Sequence, residues 1–152
     1  MEANMKKLFI YYSFTGSGEA LANIFASKGY EIRKVTPKRN LSKNFTISMF
    51  QGGMLSGLKH KAKLIDYNND ISEYDEVVVG SPIWNGYFAC PINTVLKKTD
   101  FTNKKLSFVL YSGGGCAPKA VKFIKEQYQC NVIELKEPKK YLEDAEKALT
   151  CF

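Results

Sequence analysis

The run Phe9-Ile10-Tyr11-Tyr12-Ser13-Phe14-Thr15-Gly16-Ser17-Gly18 decides how this chain is read. An apolar stretch ends in hydroxyls and glycines, and Ala20, Leu21, Ile24 and Phe25 then recur at helical spacing. A buried strand that feeds such a turn leaves free N–H groups at a helix N-terminus, where the helix dipole favours an anion. Ser13, Thr15 and Ser17 offer hydroxyls at alternate positions, while Gly16 and Gly18 let the backbone close round a ligand. The turn holds no lysine, so the Gly-x-x-x-x-Gly-Lys pattern of a nucleoside triphosphatase is absent. The dinucleotide fingerprint also fails, because the sixth position counted from Gly16 is Leu21. Nor does the second strand end in a ribose-binding carboxylate, since Val35 is followed by Thr36 and Pro37. A single phosphate monoester fits better than either, with a neutral capped turn as the alternative.

Working outward, apolar strands alternate with amphipathic helices. Residues 7–12 read as the first strand, 17–28 as a helix and 30–35 as a more polar edge strand. Residues 36–69 form a long segment broken by Gly52, Gly53 and Gly57. The three valines in 76–80 mark the clearest buried strand. A loop over 81–90 then leads to a helix opening at Pro91. Residues 106–111 are a fourth strand, Pro118 opens another helix, 131–135 are a fifth strand, and a last helix covers about 139–149. This alternation predicts an α/β fold with one parallel sheet covered on both faces. Such sheets bind ligands outside the carboxyl ends of their strands. Only the first, third and fourth strands end in loops rich in Ser, Gly or Pro, which points to one site built from three loops.

Composition sets the outer bounds. A chain of 152 residues is read as one domain spanning 1–152, and no apolar run is long enough to cross a bilayer. The N-terminus lacks the apolar core of a secretion signal. Cys90, Cys116, Cys130 and Cys151 are scattered without a Cys-x-x-Cys pair, as expected of reduced thiols in a cytoplasmic protein. His60, the sole histidine, lies among lysines, so no metal site is expected. The net charge of +7 is uneven: residues 28–63 hold nine Lys or Arg against Glu31 alone. Scattered lysines read as a solvated surface, with neither nucleic acid nor membrane as partner. The run Lys59-His60-Lys61-Ala62-Lys63 suits an acidic protein or the phosphates of a cofactor.

The third-strand loop is Ser81-Pro82-Ile83-Trp84-Asn85-Gly86-Tyr87-Phe88. Trp84, Tyr87 and Phe88 stand where core packing runs out, and aromatics there suit stacking on a flat ring system. Trp84 could equally plug the sheet end. The fourth-strand loop, Ser112-Gly113-Gly114-Gly115-Cys116, has almost no side-chain bulk and lets backbone N–H groups approach the edge of a planar ligand. A plain flexible turn is the alternative there.

With these loops in hand, the sequence resembles the flavodoxin family over nearly its whole length. Ser13-x-Thr15-Gly16 is similar to the family's phosphate loop, and Gly80-Ser81-Pro82-Ile83-Trp84-x-Gly86 to its ring-binding loop. The resemblance implies a flavodoxin-like three-layer sandwich with a five-stranded parallel sheet in the order 2-1-3-4-5, and bound FMN. By analogy Ser13, Thr15, Gly16, Ser17 and Gly18 would hold the phosphate, with Phe14 also among the cofactor-binding residues. Ser81, Pro82, Ile83, Trp84, Asn85, Gly86 and Tyr87 would face the ring, with Ser112, Gly113, Gly114 and Gly115 along its pyrimidine side. The uninterrupted fifth strand matches the short-chain form, and Gln51-Gly52-Gly53 with Gly57-x-x-x-Lys61 is similar to a subgroup not restricted to electron carriers. Two departures stand out: the family usually has Thr where this chain has Gly18, and carrier flavodoxins are acidic. None of the three loops contains Asp or Glu, so a flavin here is expected to be less strongly reducing than in an acidic carrier.

The resemblance implies a redox protein passing electrons to a partner protein. An NAD(P)H-dependent FMN oxidoreductase acting on quinones or similar acceptors is the second reading, and a flavin-binding module without turnover the third. Cys90 and Cys116 border the expected site, where a thiol relay competes with the plainer reading of idle cysteines. Oligomeric state is left open.

Overall fold

A computed structural model of the chain describes residues 4–38, 63–84 and 86–152. The glycine-rich and basic stretch singled out around residues 51–62, and Asn85 of the third-strand loop, lie outside the described residues. The elements in chain order are β1 (Lys7–Tyr11), α1 (Ser17–Ser27), β2 (Glu31–Lys34), β3 (Glu76–Trp84), β4 (Tyr87–Phe88), α2 (Cys90–Lys98), β5 (Lys105–Ser112), α3 (Pro118–Gln127), β6 (Asn131–Lys136) and α4 (Leu142–Ala148).

Five of the strands pair in parallel in the order β2-β1-β3-β5-β6. This is the expected 2-1-3-4-5 sheet, with the short β4 added as a strand antiparallel to β3. β1 and β3 are central and pair Leu8 with Val77 through Tyr11 with Gly80. Their apolar runs lack polar alternation because both faces are covered. Leu8, Ile10, Val77 and Val79 face a core completed by Ile92, Val95 and Ile124 of α2 and α3. Phe9, Tyr11 and Val78 face a second core closed by Leu21, Phe25 and Ala145 of α1 and α4. The sheet therefore separates two apolar layers, which is the three-layer arrangement. β2 and β6 form the edges, and their mixed exposure matches their polar sequences.

β3 is longer than its sequence suggests. The residues read as a loop from Ser81 onward continue the strand through Trp84. Pairing with β5 persists to Pro82 opposite Tyr111, and Ile83 and Trp84 then pair with Phe88 and Tyr87. β1 has ended by this level, so Pro82 lies where β3 has lost one neighbour, a position that tolerates a residue without an N–H.

Two features fix the strands, one at their amino ends and one at their carboxyl ends. The Tyr30 hydroxyl donates to Glu76 Oε1 at 2.6 Å, and Glu76 is buried at the start of β3. Lys105 Nζ stands 3.7 Å from the other oxygen of that carboxylate. Across the sheet, the Tyr111 hydroxyl donates to the backbone carbonyl of Tyr12. That bond ties β5 to the end of β1 just below the first loop.

Candidate functional site

The β1–α1 turn is built round one oxygen. Ser13 Oγ accepts the Gly16 amide at 3.2 Å and the Gly18 amide at 3.0 Å. Gly16 caps α1 with φ +96°, a conformation that favours glycine. Thr15 is exposed, whereas Ser17 is only 8% exposed, and neither hydroxyl has a partner among the described residues. Glu19 lies in the first turn of the helix. Its Oε1 accepts from Lys34 Nζ at 2.6 Å, while Oε2 is buried with no partner. Burial works most strongly against the Glu19 charge, but Lys34, with lesser help from the Ser13 hydroxyl and the backbone, together outweighs it and holds the carboxyl below its ordinary range.

The β3–β4 hairpin stands beside this turn, and Trp84 joins the two. Its indole meets the Tyr12 ring edge-on at 6.0 Å and the Phe14 ring edge-on at 5.8 Å. Trp84 is itself buried, so it packs the sheet end and leaves little of its ring exposed. Phe88 belongs to the core, against Phe108 and Phe123. Ser81 is wholly buried, and its hydroxyl donates to the Pro82 carbonyl at 2.8 Å and accepts the Ala89 amide at 3.4 Å. Ile83 is likewise part of the core. Of the expected ring-facing residues that are described, Gly86 and Tyr87 are the ones with partly exposed surface. Gly86 has φ +82°, and Lys119 lies over the Tyr87 ring with its ammonium 5.6 Å from the centroid. A cavity of about 290 Å³ is lined by Tyr87, Lys119, Phe123 and Glu126.

The third loop keeps its backbone open. Ser112 Oγ accepts the Gly115 amide at 3.0 Å, and a side chain at Gly113 or Gly114 would meet nothing within 4 Å. Ala117, just beyond, donates its amide to Glu134 Oε1 at 2.9 Å. The expected loops thus follow the carboxyl ends of β1, β3 and β5, and the Phe14–Trp84 contact joins the first two.

A flavodoxin family model matches residues 6–150. The chain belongs to the flavodoxin family. Solved structures agree on the fold. A candidate flavoprotein of Bacteroides eggerthii superposes with a TM-score of 0.73 at 20% identity, over 95% of this chain and 99% of that one. A flavoprotein of Lactobacillus acidophilus in complex with FMN gives 0.68 at 24% identity, over 91% and 97% of the two chains. Its apo form in solution gives 0.61 at 22%, over 89% and 93%. No functionally curated protein matches the sequence.

Within this flavodoxin fold, sequence reasoning missed a ring of lysines. Lys139 in the turn after β6 lies across Gly16: a Cβ on that glycine would stand 3.2 Å from Lys139 Cδ and 3.3 Å from Nζ. Lys136 crowds Gly115 in the same way, its Cβ 3.0 Å from that position. Lys136 and Lys140 both lie over the Tyr141 ring, at 5.5 and 5.4 Å. All four lysines, counting Lys119, are exposed. No local pattern announces Lys119, Lys136 and Lys139, because each reaches a loop remote in sequence, at Gly86, Gly115 and Gly16. Of the two loop cysteines, Cys116 is exposed and Cys90 is buried, with its thiol pushed up by that burial. A thiol in that state is a poor nucleophile.

No described helix is long and apolar enough to cross a membrane.

Proposed function

We propose that this chain is an FMN-binding redox protein that transfers electrons. The observation that carries this reading is the β1–α1 turn, where two amides converge on Ser13 Oγ and the hydroxyl of the buried residue Ser17 has no partner among the described residues. A hydroxyl oxygen that already accepts two N–H bonds still has its own proton to give. In Ser13 that proton already serves the Glu19 carboxylate, so the hydroxyls left as donors toward an anion are those of Thr15 and Ser17. The residues present fit a ring with a phosphate tail: Ser13, Thr15, Gly16, Ser17 and Gly18 for the phosphate, and Trp84, Gly86, Tyr87 and the backbone of Ser112, Gly113, Gly114 and Gly115 beside the ring. The FMN complex of the Lactobacillus acidophilus relative supports the choice of cofactor.

When bound, FMN supplies the one- and two-electron chemistry. The part of this chain is to place and surround it. Tyr12, Phe14 and Trp84 form an apolar wall between the phosphate turn and the ring loop, which keeps water from that side. The loops contribute no carboxylate, and exposed lysines border them, so negative charge gathered at the site during reduction is favoured. We place the protein in the cytoplasm, where its four free thiols are at home.

The lysine border also favours a second reading, an NAD(P)H-dependent oxidoreductase, because it suits a cofactor's phosphates as well as an acidic protein partner. Purified protein, or apoprotein titrated with FMN, is expected to show a flavin visible spectrum. Bleaching by NADPH under anaerobic conditions, with no reductase added, selects the oxidoreductase. A yellow protein that NADPH leaves yellow selects the carrier. Protein that stays colourless and takes up no FMN ends both.

A further inference from the structure

We propose that Lys139 is the counter-charge to the cofactor's phosphate, so that a cation from the β6–α4 turn selects FMN over riboflavin. The inference rests on the FMN reading and adds a residue that the phosphate turn itself does not contain.

Lys139 is held in place from its backbone. Glu137 adopts φ +35°, and its amide donates to the Ser112 carbonyl at 3.1 Å, which docks the turn against the end of β5. The Glu137 carbonyl then accepts the amides of Lys140 at 2.8 Å and Tyr141 at 3.0 Å. Pro138 is buried, so the turn presents Lys139 from a fixed base. From there the side chain runs over Gly16, and a Cβ at that glycine would press on both its aliphatic stem and its ammonium. Glycine at position 16 thus leaves room for the lysine as well as permitting the left-handed cap.

The local charge calls for such a cation. Glu19, in the first turn of α1, has one oxygen paired with Lys34 and the other buried with no partner. That pair is neutral overall, and its unpaired oxygen opposes a second anion nearby. Lys139 has no ion-pair partner among the described residues, so its charge is uncommitted. Ser17, a residue 8% exposed, likewise has no hydrogen-bond partner for its hydroxyl among the described residues. A phosphate at the turn satisfies both groups, and the uncharged tail of riboflavin leaves the ammonium unmatched.

The test is a fluorescence titration of full-length apoprotein with FMN and, separately, with riboflavin. It compares wild type with Lys139→Gln and Lys139→Arg, and with Lys125→Gln as a distant control for lost charge. Lys139→Gln is expected to weaken FMN by roughly 10- to 100-fold, the worth of one charge-assisted hydrogen bond. Riboflavin affinity should change less than about twofold, Lys139→Arg should restore most of the FMN preference, and Lys125→Gln should leave it intact. Circular dichroism of each apoprotein checks that the variants fold. Equal weakening of both flavins, or no weakening of either, overturns the assignment while leaving the cofactor reading in place. Wild-type protein that binds neither flavin overturns both.

Discussion

Ser13 fills the space that a side chain at position 18 would need. A Cβ on Gly18 would stand 2.5 Å from Ser13 Cβ and 2.7 Å from Tyr11 Cδ2, while the Gly18 amide donates to Ser13 Oγ at 3.0 Å. The Gly18 that departs from the usual threonine is therefore more than a missing hydroxyl. It lets Ser13 draw two amides together.

Gly18→Thr is accordingly expected to harm binding even though it adds a donor. Crowding against Ser13 and the packed Tyr11 ring should cost about 1–3 kcal/mol of stability. FMN affinity should fall with it. Thermal melts of the apoprotein and an FMN titration check this, and tighter FMN binding by the variant would refute it.

Tyr30→Phe removes the hydroxyl that donates to buried Glu76. Among the described residues the carboxylate then keeps only Lys105 Nζ, at 3.7 Å and from a largely exposed side chain. A loss of about 1–3 kcal/mol is expected from denaturant unfolding. Adding Glu76→Gln should recover part of it, since the charge left without its donor is then gone.

Burial, with Cys90 as a lesser neighbour, pushes the Tyr12 phenol up to about 12 from its ordinary value near 10. The folded state thus holds this proton more tightly than the unfolded chain does. The stability it contributes is full below pH 10 and is lost as pH rises through about 12. Tyr12→Phe keeps the ring against Trp84 and should flatten the fall of the unfolding midpoint across that window. A slope identical to wild type would show that other groups carry the alkaline loss.

Ser107 is 1% exposed in the middle of β5, and its hydroxyl has no partner. Ser107→Ala removes a desolvated polar group without orphaning another. The expected outcome is a gain of about 1 kcal/mol, read as a higher guanidinium midpoint. A lower midpoint would show that the hydroxyl is satisfied in solution.

Much of this fold is written in local pattern. The double-sided burial of β1 and β3 produces unbroken apolar runs, and α1 shows its inner face through Leu21, Ile24 and Phe25. The phosphate turn is legible for the same reason, since hydroxyls and glycines crowd six consecutive residues. The β3–β4 hairpin is not hidden either: Asn85-Gly86 between Ile83-Trp84 and Tyr87-Phe88 is a strong two-residue turn signal. Pro82 and the glycines nearby mask that signal, because they suit a loop equally well. The inward turn of Ser81 and Phe88 follows from that extended strand and is masked with it. Lys139 at Gly16 could not be read at all, because a contact across more than a hundred residues leaves no mark in the spacing of either partner.

The sheet that parts the two apolar layers also divides the consequences of mutation. Leu21 belongs to one layer and Ile124 to the other, with the strands between them. Damage to either should combine with damage to the other by simple addition, because the two share no neighbours. Evolution can therefore revise one half of this interior without renegotiating the other.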